Sequence, residues 1–100
     1  MIEYPHAFYH VTSRGIERRR IFQARDDYQR FLRYLELATE IYGAQIHCFC
    51  LMPNHYHLLI ETPRANLKKI LHYLNSGYTN YFNVRRKRVG HLFKGDIGPF

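Results

Sequence analysis

Apolar positions recur along this chain with two different periods, and the switches between them mark its elements. Phe8-Tyr9-His10-Val11-Thr12-Ser13 is rich in aromatic and β-branched types and reads as a first strand, ended by Arg14-Gly15. An arginine-rich loop runs from there to about Gln23. Asp26 then has the character of a helix N-cap, with Gln29 as its capping-box partner. Tyr28, Phe31, Leu32, Leu35, Ala38 and Tyr42 follow at helical spacing, and Gly43 is a natural stop. Residues 44–51 form an apolar second strand, Met52-Pro53-Asn54 turns the chain, and residues 55–62 form a third strand. These two strands should pair as an antiparallel hairpin closed by Pro63. Asn66 opens a second helix whose stripe is Leu67, Ile70, Leu71, Leu74, Tyr78, Tyr81 and Phe82, reaching about Asn83. Gly77 sits inside that helix, where it marks a bend or a close approach. After a basic run and Gly90, His91-Leu92-Phe93 starts a fourth strand.

The resulting order, β-α-β-β-α-β, predicts an α+β, ferredoxin-like fold: an antiparallel sheet with two helices on one face. The other face is left open for a site. No repeat, low-complexity segment or linker divides residues 1–100, which read as a single domain. The aromatic stripes on both helices read as core packing.

Charge changes the picture. Lys and Arg number 15 against 8 acids, for a net charge of +7, which favours phosphate polyanions as partners. The cations are clustered: Arg14, Arg18, Arg19 and Arg20 in one segment, Arg85, Arg86, Lys87 and Arg88 in another. Both clusters are predicted to contact nucleic-acid phosphate with a strong salt dependence. No apolar run approaches the roughly 20 residues of a membrane span, and the N-terminus lacks a signal-peptide pattern, so a cytoplasmic location is expected. Cys48 and Cys50 are too close for a disulfide framework and are expected to be buried small hydrophobes.

The candidate chemistry lies in Met52-Pro53-Asn54-His55-Tyr56-His57. Strand alternation puts His55 and His57 on one face and Tyr56 on the other. Two imidazoles on one face of a rigid strand are a metal-binding pair. Glu61 shares their parity but lies roughly 13 Å beyond His57, and reads as a solvated or paired acid. Asn54 reads as a turn former. His10 and His91 read as ordinary, partly exposed histidines.

Three stretches carry a family resemblance. They are Tyr9-His10-Val11-Thr12-Ser13-Arg14-Gly15 with Ile21-Phe22, then residues 51–63 around the paired histidines, then Tyr78-Thr79-Asn80-Tyr81-Phe82-Asn83 with the basic run and Gly90-His91-Leu92-Phe93-Lys94-Gly95. In this order they resemble the single-tyrosine HUH transposases, IS200-like, in the branch related to REP-associated tyrosine transposases. The resemblance implies a ferredoxin-like fold, single-stranded or hairpin DNA as partner, and a divalent ion, Mg²⁺ or Mn²⁺, held by His55 and His57. It also implies a tyrosine nucleophile that becomes linked to a 5′ phosphate and leaves a free 3′ hydroxyl.

In the family that tyrosine lies on a helix beyond the block ending near Lys94-Gly95, so the chain reads as a domain lacking it. Tyr78 and Tyr81 are the tyrosines to test as substitutes, although both fit the apolar stripe. The resemblance therefore implies DNA strand cleavage and joining in transposition, incomplete in this chain. The competing readings are an inactive DNA-hairpin-binding remnant and a ferredoxin-like RNA-binding protein. A homodimer is compatible with an exposed strand edge.

Overall fold

The computed structural model describes residues 2–99, the side chains of Asp96 and Pro99 aside. Its elements are β1 (Ala7–Gly15), a one-turn 3-10 segment (Ile16–Arg18), α1 (Arg25–Tyr42), β2 (Gln45–Met52), β3 (His55–Thr62), α2 (Leu67–Arg86) and β4 (Phe93–Pro99). The strands form one four-stranded sheet in the order β2-β3-β1-β4, with every neighbouring pair antiparallel. This is the expected ferredoxin-like α+β arrangement.

Alternation sorts the two sheet faces. Along β1, Ala7, Tyr9, Val11 and Ser13 are buried, while Phe8, His10 and Arg14 are exposed. Along β3, Tyr56, Leu58, Ile60 and Thr62 are fully buried and the odd positions are half-buried. The buried face packs against Phe31, Leu35 and Ala38 of α1 and Ile70, Leu74, Tyr78 and Phe82 of α2. Burying a side chain such as Phe31 is worth about 1.5–3 kcal/mol. Gly77 marks a close approach of the helices: a Cβ there would meet the Tyr34 ring at 2.9 Å.

Several boundaries differ from the sequence expectation. The N-cap of α1 is Ala24, not Asp26, and the capping carboxylate is Asp27. Its Oδ2 accepts from the backbone N–H of Gln23 at 2.8 Å and of Ala24 at 3.1 Å. Alanine offers no side-chain acceptor, so only the backward half of a capping box is present. Asp27 thus satisfies two donors just outside the helix, while Asp26 points to solvent near Arg85. Helix α2 runs on to Arg86, taking Arg85 and Arg86 out of the expected loop. Lys87 ends it in the left-handed conformation (φ 52°). The fourth strand begins at Phe93; Leu92 is buried before it, and its carbonyl accepts from the Ile16 N–H.

Cys48 and Cys50 are exposed, contrary to expectation. They lie on edge strand β2, opposite Leu59 and His57, and so share the open face that no helix covers.

Candidate metal and nucleic-acid site on the open sheet face

Pairing of β1 with β3 sets Arg14 opposite His55, Thr12 opposite His57 and His10 opposite Leu59. On the far side, Lys94 of β4 lies opposite Arg14. The open face therefore carries an imidazole group with two cations beside it, all on rigid strands.

The imidazoles are held in a specific way. The Nδ1 of His55 is 2.7 Å from Asn54 Oδ1. That amide oxygen can only accept, so the Nδ1 of His55 donates and its Nε2 keeps a lone pair. The Nδ1 of His57 is 3.1 Å from both His10 Nε2 and Thr12 Oγ1. No contact among the described residues engages the Nε2 of either histidine. The two rings lie 5.0 Å apart and nearly perpendicular (85°). Burial lowers the His57 pKa, and proximity to His55 and His10 lowers it further. A neutral imidazole keeps the lone pair that metal binding needs.

The two Nε2 atoms are the donors that would hold a divalent ion. Among the described residues no group of three or more His, Cys, Asp or Glu side chains is arranged to hold a metal. Two imidazoles alone favour borderline ions such as Ni²⁺, Cu²⁺ or Zn²⁺ over hard Mg²⁺.

The loop beside the site is tied down by its backbone. The turn carbonyls of Pro53 and Asn54 accept from Ile21, Phe22 and Gly15, at 2.8–3.1 Å. Gly15 is required by close approach, because a Cβ there would lie 2.1 Å from the Arg19 carbonyl oxygen. Glu17 and Arg18 adopt positive φ (56° and 60°), an uncommon conformation for residues with a Cβ. Arg18, Arg19 and Arg20 are all exposed, and among the described residues none of their side chains makes a hydrogen bond or an ion pair. This leaves three guanidiniums available next to the histidine turn.

The second basic cluster is different. Arg86 donates to Asp27 at 2.5 Å and to Gln23 at 3.0 Å, and its guanidinium lies 4.3 Å over the Phe82 ring. Arg88 donates to Asn83 Oδ1 and to the carbonyls of Gly90 and His91. These two cations hold the chain together rather than face solvent. Arg85 contacts Tyr81 and Asp26 on the helix layer, and Lys87 is exposed.

The tyrosines lie elsewhere. Tyr78 is fully buried, donates to the Ile21 carbonyl at 2.5 Å, and has its pKa pushed far up by burial. Tyr81 donates to Asp27 Oδ1 at 2.7 Å, and its pKa is raised by burial and by that carboxylate. Both sit on the helix side of the sheet, and the strand tyrosines Tyr9 and Tyr56 face the core. Tyr56, its pKa pushed up to about 12 by burial, donates to Asn75. None of these is brought to the histidine pair.

His91 lines a cleft of about 490 Å³ between α2 and the start of β4, on the helix side. Glu61 is a paired acid, 3.1 Å from His6 Nδ1 and 3.0 Å from His47 Nε2. Sequence reasoning missed the roles of His10, Thr12, Asn54 and Lys94. Alternation already placed His10, Thr12 and Arg14 on one face; strand register supplied the rest.

Comparison with known proteins agrees with this architecture. The family model "Transposase IS200 like" matches residues 4–97. The chain belongs to the IS200-like transposase family. No curated protein matches it. A crystal structure described as a "putative transposase" from Deinococcus radiodurans R1 superposes with a TM-score of 0.73 at 14% identity, covering 97% of this chain and 81% of that one. A REP-associated tyrosine transposase bound to a REP hairpin superposes with a TM-score of 0.76 at 10% identity, covering all of this chain. The chain spans 59% of that protein's length. At these identities the two neighbours establish a shared fold. No helix among the described residues is long and apolar enough to cross a membrane.

Proposed function

We propose that this chain is the DNA-holding, metal-binding part of a transposase that cuts and rejoins single-stranded DNA. The observation that carries it is the matched presentation of His55 and His57: among the described residues each Nδ1 has a hydrogen-bond partner and each Nε2 has none, and both share a face with Arg14 and Lys94. His55 and His57 would hold a divalent ion, Mg²⁺ or Mn²⁺ in the family. When bound, the ion supplies Lewis-acid polarisation of the scissile phosphate. Arg14, Lys94 and the Arg18–Arg20 loop would position the DNA backbone by charge, without reading sequence. DNA in hairpin form is the favoured partner, in keeping with the hairpin-bound neighbour.

In the cleavage reaction a tyrosine oxygen attacks phosphorus. A tyrosine–5′-phosphate bond forms, the bond to the 3′ oxygen breaks, and that oxygen leaves as a 3′ hydroxyl. The bond energy is kept for rejoining. The engaged hydroxyls of Tyr78 and Tyr81, on the helix side of the sheet, disfavour both as that nucleophile. They also support the second reading, in which this polypeptide by itself binds hairpin DNA without cutting it.

A nicking assay tests both. Labelled hairpin DNA with a single-stranded flank is incubated with the chain and Mn²⁺, then run on denaturing and native gels. A protein-linked fragment establishes cleavage. Retarded DNA with no adduct establishes the binding reading. Equal retardation of an RNA hairpin, or none of either, rejects the DNA assignment.

A further inference from the structure

We propose that His10, together with Thr12, is a positioning residue that holds His57 in the tautomer with its proton on Nδ1 and its lone pair on Nε2. Its consequence for metal affinity rests on the reading of His57 as a ligand; the tautomer itself does not.

Two side chains from β1 converge on one nitrogen. Thr12 Oγ1 and His10 Nε2 are each 3.1 Å from His57 Nδ1. Thr12 is directly opposite His57 in the strand pairing, and His10 is its diagonal neighbour two residues along. The His10 and His57 ring centroids are 5.3 Å apart and the planes differ by 14°. The nitrogen–nitrogen contact accounts for most of that centroid separation. The rings therefore lie edge to edge in nearly one plane, as an N–H···N hydrogen bond requires, rather than face on face.

The direction of that bond follows from where each remaining proton would go. With the proton on His57 Nδ1, both neighbours serve as acceptors. His10 then carries its own proton on Nδ1, and as an exposed residue it can give that proton to water. In the reverse arrangement, with the His57 proton on Nε2, the single Nδ1 lone pair would have to accept from both the His10 Nε2–H and the Thr12 hydroxyl, whereas one N–H is readily shared between two acceptors.

Asn54 provides the parallel case. Its amide oxygen fixes the same tautomer on His55. Both histidines thus present bare Nε2 atoms, one oriented from its own turn and the other from a neighbouring strand. Partners of this type on a ligand's distal nitrogen orient the ring and raise its basicity.

The test uses the full chain without metal at pH ~8, where free imidazole is neutral. Long-range ¹H–¹⁵N spectra assign the His57 tautomer in wild type, His10→Ala, His10→Gln and Thr12→Val. The wild type is expected to show the Nδ1–H form. His10→Ala is expected to move His57 toward a mixture, and His10→Gln, which restores an acceptor, to move it back. Calorimetric titration with Ni²⁺ is expected to show affinity weakened about 10- to 100-fold in His10→Ala and largely recovered in His10→Gln. An Nε2–H form in the wild type, or an unchanged tautomer in His10→Ala, overturns the proposal. A wild type that takes up no Ni²⁺ overturns the metal reading of the site, while the spectra still decide the tautomer.

Discussion

Asp27 and Arg86 meet at 2.5 Å between the first turn of α1 and the last turn of α2, with the carboxylate fully buried. Asp27 also accepts from two backbone N–H groups ahead of α1 and from the Tyr81 hydroxyl. One carboxylate therefore caps a helix and joins it to the other. Arg86→Ala strips a buried charge of its partner and is expected to destabilise the fold by about 3 kcal/mol, the low end for such a loss because the other donors remain. Urea unfolding measures this. DNA affinity per folded molecule is expected to stay near wild type; a marked loss would return Arg86 to the DNA interface.

The same carboxylate predicts an acid dependence. Burial alone would raise the Asp27 pKa, but the Gln23 N–H, Tyr81 and Arg86 outweigh it and hold it below the usual value of 3.8. A depressed folded pKa adds stability that is present above the unfolded pKa and is lost as pH falls through the folded one. The stability gap between wild type and Asp27→Asn is therefore expected to be full at neutral pH and to narrow below about pH 4. Unfolding curves from pH 7 to pH 2.5 check this, and a gap that widened on acidification would contradict it.

His55 and His57 project from the face that no helix covers, so removing both should spare the core. The double alanine variant is expected to lose Ni²⁺ and Mn²⁺ binding while its stability changes by about 0.5 kcal/mol or less. Metal titration and thermal unfolding, run side by side, separate a lost site from a lost fold.

Replacing Arg18, Arg19 and Arg20 with alanine removes three exposed cations whose side chains make no hydrogen bond or ion pair among the described residues. DNA binding is expected to weaken, and the slope of log affinity against log salt to flatten by up to about 2, since each single-strand phosphate contact contributes roughly 0.7. A salt series by fluorescence anisotropy gives the slope. An unchanged slope would place the loop outside the interface.

The loop's shape is open to a separate test. In Gly15→Ala the new Cβ would collide with the Arg19 carbonyl, so the segment carrying those arginines must move. Lower stability and weaker DNA binding are expected together, even though no charge is removed. Unfolding and anisotropy measurements on this variant show whether the two effects are coupled.

The order of strands and helices, the buried stripe on each helix and the shared face of His55 and His57 were all legible in the sequence. Local periodicity determines them: a strand alternates and a helix repeats every 3.6 residues, wherever the segment ends up. The resemblance in Leu51-Met52-Pro53-Asn54-His55 and its flanking blocks likewise needed no coordinates. Tertiary structure alone decided which side chains meet across elements. His10 reaches His57 because β1 pairs with β3 in one register, 47 residues away in sequence. Asp27 displaced Asp26 as the capping acid because, with Ala24 at the N-cap, it is Asp27 whose carboxylate reaches back to the Gln23 and Ala24 N–H groups. Cys48 and Cys50 read as core residues by type, yet β2 is an edge strand and no described helix covers their face of it. The charge clusters divided for the same reason. Composition counts cations, but only packing determines which of them, like Arg86, are already bound within the fold and which, like Arg18 to Arg20, stay exposed.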